Sequence, residues 1–434
     1  MEVKIGIIEG REIEISIRGP FDIYSQSQDI SETKRDCTLS FSIERFENDS
    51  IELIPASNES SFRISDVEIG RNFHWQQKEN QEFNGILEIR KFHQSDDTCL
   101  LIAINRIDIE EYLTSVISSE MNPLSPLELL KAHAVISRSW VISRILEDRN
   151  NSNLSSQVNM PHKRIVWYDN EGHHGYDVCA DDHCQRYQGI LRINNKAREA
   201  VALTAGLILT HDGKICDTRF SKCCGGAFER FENCWENIHI PYLKEGRDII
   251  PTLPLPDLTC EEDAERWIMQ SPDSFCNMHD PMLLKRILNS YDLSNSSFFR
   301  WKVEYTQQEL QEIIKEKSGI NFGEIIDIIP LKRGVSGRIS VLKIIGKKHS
   351  LIVGKELEIR RILSKSHLYS SAFIIRKNSS DISEIPASFI FFGAGWGHGV
   401  GLCQIGAAVM AEKGYTFEKI LRHYYPSTSL KASY

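Results

Sequence analysis

Histidine and cysteine side chains are concentrated in one short segment, and such a pattern is typical of a metal site or a local disulfide. Five nitrogen or sulfur donors lie within twelve residues: His173, His174, Cys179, His183 and Cys184. Zinc takes four such ligands in a tetrahedron. The other interpretation is a disulfide between the two cysteines with surface histidines beside it, and its weight depends on the redox compartment.

A second group of cysteines follows at Cys216, Cys223, Cys224 and Cys234. The chain has 11 cysteines, so at least one thiol lacks a disulfide partner within the chain. Their uneven spacing indicates metal binding or local bridges rather than a global disulfide framework. For this second group, metal ligation, disulfides and plain burial of small side chains all stay open.

Glycine occupies every second position from Gly393 to Gly401. The spacing fits neither a P-loop nor a dinucleotide-binding fingerprint, so we expect no nucleotide cofactor. On a strand, this period places all the glycines on one side and the intervening side chains, His398 among them, on the other. The bare side would allow close approach of a substrate or tight packing against another element.

A helix is predicted over residues 125–146, because Ser125 can cap its N-terminus and apolar residues then recur with helical spacing. Lys131 and Arg138 lie two turns apart on its apolar face, where buried charges need partners. Their heads either reach water or line a cleft near Glu120. A carboxyl group held against apolar side chains can act as a general acid.

Three segments resemble the SpoIID/LytB family, and together they cover most of residues 100–430. The quoted matches are Tyr112-Leu113 with Glu120-Met121 and Leu130-Lys-Ala-His-Ala-Val-Ile-Ser-Arg-Ser-Trp140, then Asp217-Thr-Arg-Phe-Ser-Lys-Cys-Cys-Gly-Gly226 with Pro241-Tyr-Leu243, then Gly395-Trp-Gly-His-Gly-Val-Gly-Leu-Cys-Gln404 with His423-Tyr-Tyr-Pro426. The chain departs from the family pattern at His133, Ser139, Trp140, Cys403 and Ile405.

The resemblance implies a role for the acidic residue before Met121. In SpoIID-type members this Glu is the catalytic acid of a lytic transglycosylase, which implies Glu120 here. Lys131 and Arg138 match positions that line its cleft. The resemblance also implies substrate-binding positions at Ser221, His398, Gln404 and Tyr424.

Some family members carry a similar histidine and cysteine cluster that binds zinc near the active site. The resemblance therefore favours zinc, with His173, Cys179, His183 and Cys184 as ligands and His174 as the alternative to His173.

The predicted function is cleavage of peptidoglycan glycan strands to 1,6-anhydro ends by a single acid. LytB-type relatives are amidase enhancers, so the alternative is a non-catalytic peptidoglycan-binding protein that stimulates a cell-wall amidase. A zinc hydrolase centred on the cluster is a third class, disfavoured if four protein ligands close the metal.

Strand and helix patterns alternate irregularly along the chain, which predicts an α+β protein with a β-rich SpoIID-like core. A long helix follows the acidic residue, and helices are expected at the C-terminus. We expect four regions: a β-rich region 1–100, a first core half 101–245, a variable helical insertion 246–325 and a second core half 326–434.

Composition sets broad limits on partners and location. The chain has 434 residues, of which 41% are hydrophobic and 26% charged, and its net charge is −9. This acidic balance argues against nucleic-acid binding. We expect no transmembrane segment, because no apolar run of about eighteen residues occurs. The N-terminus lacks a signal-peptide pattern, whereas the resemblance implies the cell envelope or another extracytoplasmic location.

Overall fold

The computed structural model describes residues 1–25, 28–71, 73–95, 98–148, 157–168, 173, 175–290, 292–294, 297–379 and 385–433. The structure combines helices with many strands that form several sheets, which confirms the predicted β-rich α+β class. The strands are β1 (Glu2–Gly10), β2 (Glu12–Arg18), β3 (Pro20–Ser25), β4 (Gln28–Arg35), β5 (Thr38–Ser42), β6 (Ser50–Pro55), β7 (Ser61–Ile69), β8 (Gln77–Phe83), β9 (Ile86–Ser95), β10 (Thr98–Asp108), β11 (Gln157–Met160), β12 (Lys163–Val166), β13 (Val178–Cys179), β14 (Leu207–His211), β15 (Lys214–Ile215), β16 (Phe220–Ser221), β17 (Ala227–Phe228), β18 (Gly246–Arg247), β19 (Arg300–Thr306), β20 (Ile325–Arg333), β21 (Ile339–Gly346), β22 (Ser350–Gly354), β23 (Phe373–Asn378), β24 (Ser388–Ala394), β25 (Leu402–Cys403) and β26 (Ser429–Ala432).

The helices include the long helix and the C-terminal helices that the sequence predicts. They are α1 (Ile109–Glu120), α2 (Leu127–Asp148), α3 (Asn195–Leu203), α4 (Phe231–Cys234), α5 (Glu261–Met269), α6 (Pro281–Ile287), α7 (Gln307–Ser318), α8 (Glu356–Ile362), α9 (Gln404–Glu412) and α10 (Phe417–Tyr424). Within the described residues, no helix is both long and apolar enough to cross a membrane.

Two compact units form from interleaved stretches of chain. Unit 1 comprises Met1–Asn150, Gly172–Ile208 and Ala432–Tyr434, and unit 2 comprises Asn151–Glu171 and Leu209–Lys431. The four-region division expected from the sequence stays a prediction.

Unit 1 is built on a seven-stranded sheet in the order β13-β1-β10-β9-β6-β3-β4 and a four-stranded sheet in the order β5-β2-β7-β8. Strict alternation in β2 buries its isoleucines and exposes the polar residues between them. Four aromatic rings stack one upon the next and connect β7 and β8 to α1. Their centroids are 5.4–5.6 Å apart in the order Phe62, Phe83, Tyr187 and Tyr112. This aromatic stack ties the helix that ends at Glu120 to the sheet.

Unit 2 contains a five-stranded sheet in the order β11-β12-β22-β21-β20 and a three-stranded sheet in the order β19-β24-β23. Its largest core joins residues of these sheets to α7 and α8, with Ile314, Leu342 and Phe389 fully buried. Helix α7 begins with a capping box in which Thr306 and Glu309 satisfy each other's backbone N–H groups. The two-stranded pairs β16-β25 and β17-β18 belong to this unit as well.

Candidate functional site

Helix α1 places Glu120 at its last position in a buried setting. Asp108 caps the helix by accepting from the Glu110 backbone N–H at 2.9 Å, and acidic residues in the first turn suit the helix dipole. Residues 112–120 are all buried, and Glu120 is 6% exposed. The chain becomes extended at Met121, so the carboxylate lies where the helix ends.

The segment after Cys184 runs along α1 and fixes the position of the carboxylate. The Arg186 backbone N–H donates to Glu120 Oε1 at 3.0 Å, and the Gln188 N–H donates to Ser119 Oγ at 3.2 Å. Further along, Ser115 Oγ donates to the Gly189 carbonyl at 2.7 Å. A carboxylate held by a backbone donor has a defined orientation, which acid and base chemistry requires.

Asp182 and Arg186 form a charged pair near this carboxylate. Arg186 Nε lies 2.7 Å from Asp182 Oδ1, and its guanidinium stacks over the Trp75 ring at 4.2 Å. Burial raises the pKa of Asp182 to about 7, while Arg186 opposes the rise. Sequence reasoning missed both residues. The signal was only their proximity to the cysteines, since neither belongs to the matched motifs.

The ligand atoms of His173, Cys179, His183 and Cys184 all lie within 4.8 Å of one another. Cys184 Sγ is 3.5 Å from His173 Nε2 and 3.5 Å from His183 Nδ1, and Cys179 Sγ is 3.8 Å from His183 Nδ1. Zinc–sulfur and zinc–nitrogen bonds of about 2.3 and 2.1 Å give tetrahedral edges of about 3.6 Å, so these separations fit zinc.

Other features of this cluster also bear on the sequence predictions. Cys179 and Cys184 are both free thiols, so the alternative disulfide is not formed in this structure. A hydrogen bond from Cys184 holds the pKa of the Cys179 thiol well below its usual range. His174 lies outside the described residues. Cys184 stands two residues before Arg186, so the cluster anchors the segment that contacts Glu120.

Lys131 and Arg138 have anionic partners on or near their own helix. Lys131 Nζ lies 2.7 Å from Glu128 Oε1, and 17% of the lysine side chain is exposed. Arg138 is fully buried and donates to both carboxylate oxygens of Glu110, at 2.8 and 2.5 Å, and to the Leu207 carbonyl at 3.0 Å. The buried position of Arg138 favours a structural role over the predicted contact with substrate.

The glycine-rich segment is a loop, and the prediction of a continuous strand is wrong beyond Ala394. Gly395, Gly397, Gly399 and Gly401 adopt positive φ angles of 70–92°, which other residues rarely take. The loop winds around the buried Arg338, whose Nε donates to the Gly397 carbonyl at 3.1 Å. A Cβ on Gly399 would come within 2.4 Å of the Arg338 Cζ, so the close approach serves an internal arginine.

The four substrate-binding positions implied by the resemblance all lie in unit 2. Ser221 accepts from the Gly399 N–H at 3.2 Å, Gln404 is 1% exposed, and the Tyr424 hydroxyl donates to Asp248 at 2.8 Å. His398 is half-buried, and burial together with nearby arginines holds its pKa well below the usual range. Their contact with substrate stays a prediction.

The second cysteine group does not assemble as the sequence grouped it. Cys224 lies with Asp248, Cys276 and Cys403 instead, whereas the Cys234 sulfur contacts the His398 carbonyl at 3.7 Å. All eleven cysteines are free thiols, so no disulfide joins them. Cys276 and Cys403 lie far from Cys224 in sequence, and their spacing therefore gave no signal.

Two stretches of the chain match known family models, and one of them contains α1. Residues 100–211 match the family model described as stage II sporulation protein. Residues 229–401 match a model described as a domain of unknown function, DUF8618. The chain is therefore an α+β protein that contains a SpoIID domain, with a buried carboxylate at the end of α1 inside the matched region. The resemblance seen in the sequence is confirmed.

Curated relatives extend the likeness beyond this domain. An uncharacterised protein of Brachyspira hyodysenteriae is 27% identical over 325 residues, which cover 75% of this chain and 67% of that protein. Stage II sporulation protein D of Bacillus subtilis is 25% identical over 334 residues, or 76% of each chain. The amidase enhancer of Bacillus subtilis is 24% identical over 249 residues, which cover 55% of this chain and 33% of that protein.

Proposed function

We propose that this protein is a peptidoglycan lytic transglycosylase in which Glu120 is the catalytic acid and base. The observation that carries the proposal is the geometry at the end of α1, where a 6% exposed carboxylate accepts a hydrogen bond from the Arg186 backbone N–H. A carboxyl group oriented in this way can give a proton and take one back at the same atom. The similarity to stage II sporulation protein D supports the cell wall as the target.

The chemistry needs only one carboxyl group. Protonated Glu120 gives its proton to the glycosidic oxygen, and the bond between that oxygen and C1 breaks, leaving a positively charged sugar ring. The C6 hydroxyl of the same sugar then bonds to C1, and the Glu120 carboxylate accepts the hydroxyl proton. The products are a 1,6-anhydro end and a free hydroxyl on the next sugar. Water does not enter the products, so the second carboxylate of a glycoside hydrolase has no task here.

Zinc is proposed as a structural cofactor of unit 1. The side chains that would hold it are His173, Cys179, His183 and Cys184, whose separations fit a tetrahedral ion. Four protein ligands would leave zinc no open position, so its contribution would be to fix the chain around Cys184 and thereby the Arg186 N–H. This argues against the zinc-hydrolase class.

If peptidoglycan is the target, a binding partner and a cellular location follow. Glycan strands would be the partner, and the protein would act outside the cytoplasmic membrane, in keeping with its likeness to stage II sporulation protein D and an amidase enhancer. The likeness to the amidase enhancer supports the alternative function, in which the chain binds glycan without cutting it and stimulates a cell-wall amidase.

The deciding experiment is digestion of glycan strands stripped of stem peptides, with product masses read by mass spectrometry. We expect anhydro-ended products from the wild type and a rate at least about a hundredfold lower from Glu120→Gln, since proton transfer contributes about 10²–10⁴. Glu111→Gln is the matched control, because Glu111 lies on the same helix with 49% of its side chain exposed. It should keep the wild-type rate.

Two results would contradict the proposal. Wild-type activity in Glu120→Gln would show that Glu120 is not the catalytic acid. Binding of strands by the wild type without any anhydro product, together with faster cleavage of peptidoglycan that keeps its stem peptides by an added amidase, would establish the enhancer function instead.

A further inference from the structure

Three thiols and one carboxylate converge in the interior of unit 2. The ligand atoms of Cys224, Asp248, Cys276 and Cys403 all lie within 4.8 Å of one another, and all four residues are buried. They come from separate parts of the chain: after β16, after β18, between α5 and α6, and at the junction of β25 and α9. Apolar packing alone does not account for this convergence. A buried carboxylate is costly unless it is paired and hydrogen-bonded.

The distances within this cluster suit a tetrahedral metal ion. Cys224 Sγ is 3.5 Å from Cys276 Sγ and 3.5 Å from Asp248 Oδ2. Zinc–sulfur bonds of about 2.3 Å give a sulfur-to-sulfur edge of about 3.8 Å. The observed separations need a shift of only a few tenths of an ångström to admit the ion.

Backbone and side-chain donors already point at the ligand atoms. Cys403 caps α9, where its sulfur receives the N–H groups of Cys224 at 3.2 Å and Gly406 at 3.4 Å. N–H groups at a helix N-terminus favour a thiolate. Asp248 receives the Cys276 N–H at 3.1 Å and the Tyr424 hydroxyl at 2.8 Å. Such outer contacts orient ligands and are a regular part of metal sites.

One neighbouring histidine makes only a long contact with the carboxylate. His423 Nε2 is buried 3.5 Å from Asp248 Oδ1 but has no hydrogen-bond partner. The nearby Arg300 directs its guanidinium to backbone carbonyls, among them those of Gly225 and Trp267. A divalent cation among the thiols would place positive charge directly at the four ligand atoms.

We propose that Cys224, Asp248, Cys276 and Cys403 form a second zinc site, separate from the histidine and cysteine cluster of unit 1. Thiolate sulfur selects zinc over magnesium or calcium, which prefer oxygen ligands. Four protein ligands make the site structural, and the ion joins four segments that are distant in sequence. The proposal concerns unit 2 and does not depend on the glycan-cutting activity.

The first test measures zinc per chain by elemental mass spectrometry on purified protein. We expect Cys276→Ser to lower the zinc content by one equivalent relative to the wild type. Cys234→Ser is the matched control, because Cys234 is buried in the same unit but contacts the His398 carbonyl, and it should keep the wild-type content. An unchanged zinc content in Cys276→Ser would overturn the proposal.

A second measurement keeps the test independent of how the single variants fold. In a Cys179→Ser/Cys184→Ser protein, which lacks both thiols of the unit 1 cluster, cobalt should still bind one equivalent with a near-ultraviolet thiolate-to-cobalt absorption band. Absence of that band, or a peptide map with Cys224 and Cys276 joined in a disulfide, would contradict the second site.

Discussion

At the residue scale, Arg138 shows how α1 and α2 are held together. Its guanidinium has no exposed surface, and two of its nitrogens donate to the two oxygens of the Glu110 carboxylate. Glu110 also accepts from the Gly206 backbone N–H at 3.3 Å, next to α3. Removing one partner of a buried pair leaves an uncompensated charge, which costs more than the pair contributes.

We therefore expect Arg138→Met to lower the free energy of unfolding by about 3 kcal/mol. Replacing both partners, as Glu110→Leu with Arg138→Met, should recover most of the loss, because neither charge is then buried alone. Urea denaturation followed by tryptophan fluorescence measures both changes. Lys131→Met is the control on the same helix: its partly exposed pair with Glu128 should cost less than about 1 kcal/mol. A larger loss there than in Arg138→Met would contradict this account.

Sequence could predict the types of these residues but not all of their contacts. Helical spacing placed Arg138 on an apolar face that needs an anionic partner, and the family motif singled out Glu120. Glu110 lies 28 positions before Arg138 and becomes its partner only when α1 packs on α2. The donor to Glu120 is a backbone N–H of Arg186, and any amino acid except proline has that group.

At the element scale, the glycine-rich loop shows why glycine at every second position does not by itself predict a strand. Alternating glycines are typical of a strand with one bare side, yet the same spacing serves a loop in which every second residue takes a positive φ. The buried Arg338 decides between them, because the loop closes around its guanidinium. Arg338 lies far from the glycines in sequence, so the pattern could not reveal it.

The short β17–β18 pair is bordered by an ion pair that predicts a pH dependence. Arg230 donates two hydrogen bonds of 2.7 Å to Glu245, and these bonds lower the pKa of Glu245 to about 2. The unfolded value is about 4.3, so the pair's stabilisation is complete above that pH and is lost as the pH falls towards 2. Both side chains are about a third exposed, which limits the effect to about 1 kcal/mol or less.

Arg230→Gln should therefore be less stable than the wild type at pH 7, and the difference should shrink as the pH is lowered below 4. Urea unfolding at several pH values measures it. Lys214→Gln removes the same charge from an exposed position in the same unit and should show no such convergence. A gap between Arg230→Gln and wild type that widens in acid would contradict the assignment.

At the scale of the whole molecule, each unit has a core of its own. The aromatic stack around Tyr187 lies in unit 1, and the cluster around Ile314 and Phe389 lies in unit 2. Each unit also carries one of the two proposed zinc sites. Units with separate cores can unfold as separate cooperative transitions.

We expect two transitions in differential scanning calorimetry, and a zinc chelator should lower the midpoints of both, because an ion that binds only the folded state stabilises it. Cys179→Ser/Cys184→Ser should lower one midpoint, and Cys276→Ser should lower the other. A single transition whose calorimetric and van't Hoff enthalpies agree would contradict the picture of two cooperative units.

The interleaving of the two units has a consequence for synthesis on the ribosome. The chain leaves unit 1 at Asn150 and re-enters it at Gly172. A nascent chain that has not yet reached Arg186 therefore carries Glu120 without the backbone N–H that orients it. Another contact of this unit forms later still, when the Ser433 N–H donates to the Gly206 carbonyl at 2.8 Å. Unit 1 thus gains this contact only after the chain has been synthesised as far as Ser433, and a chain cut before Arg186 would hold the proposed acid in an unfinished setting.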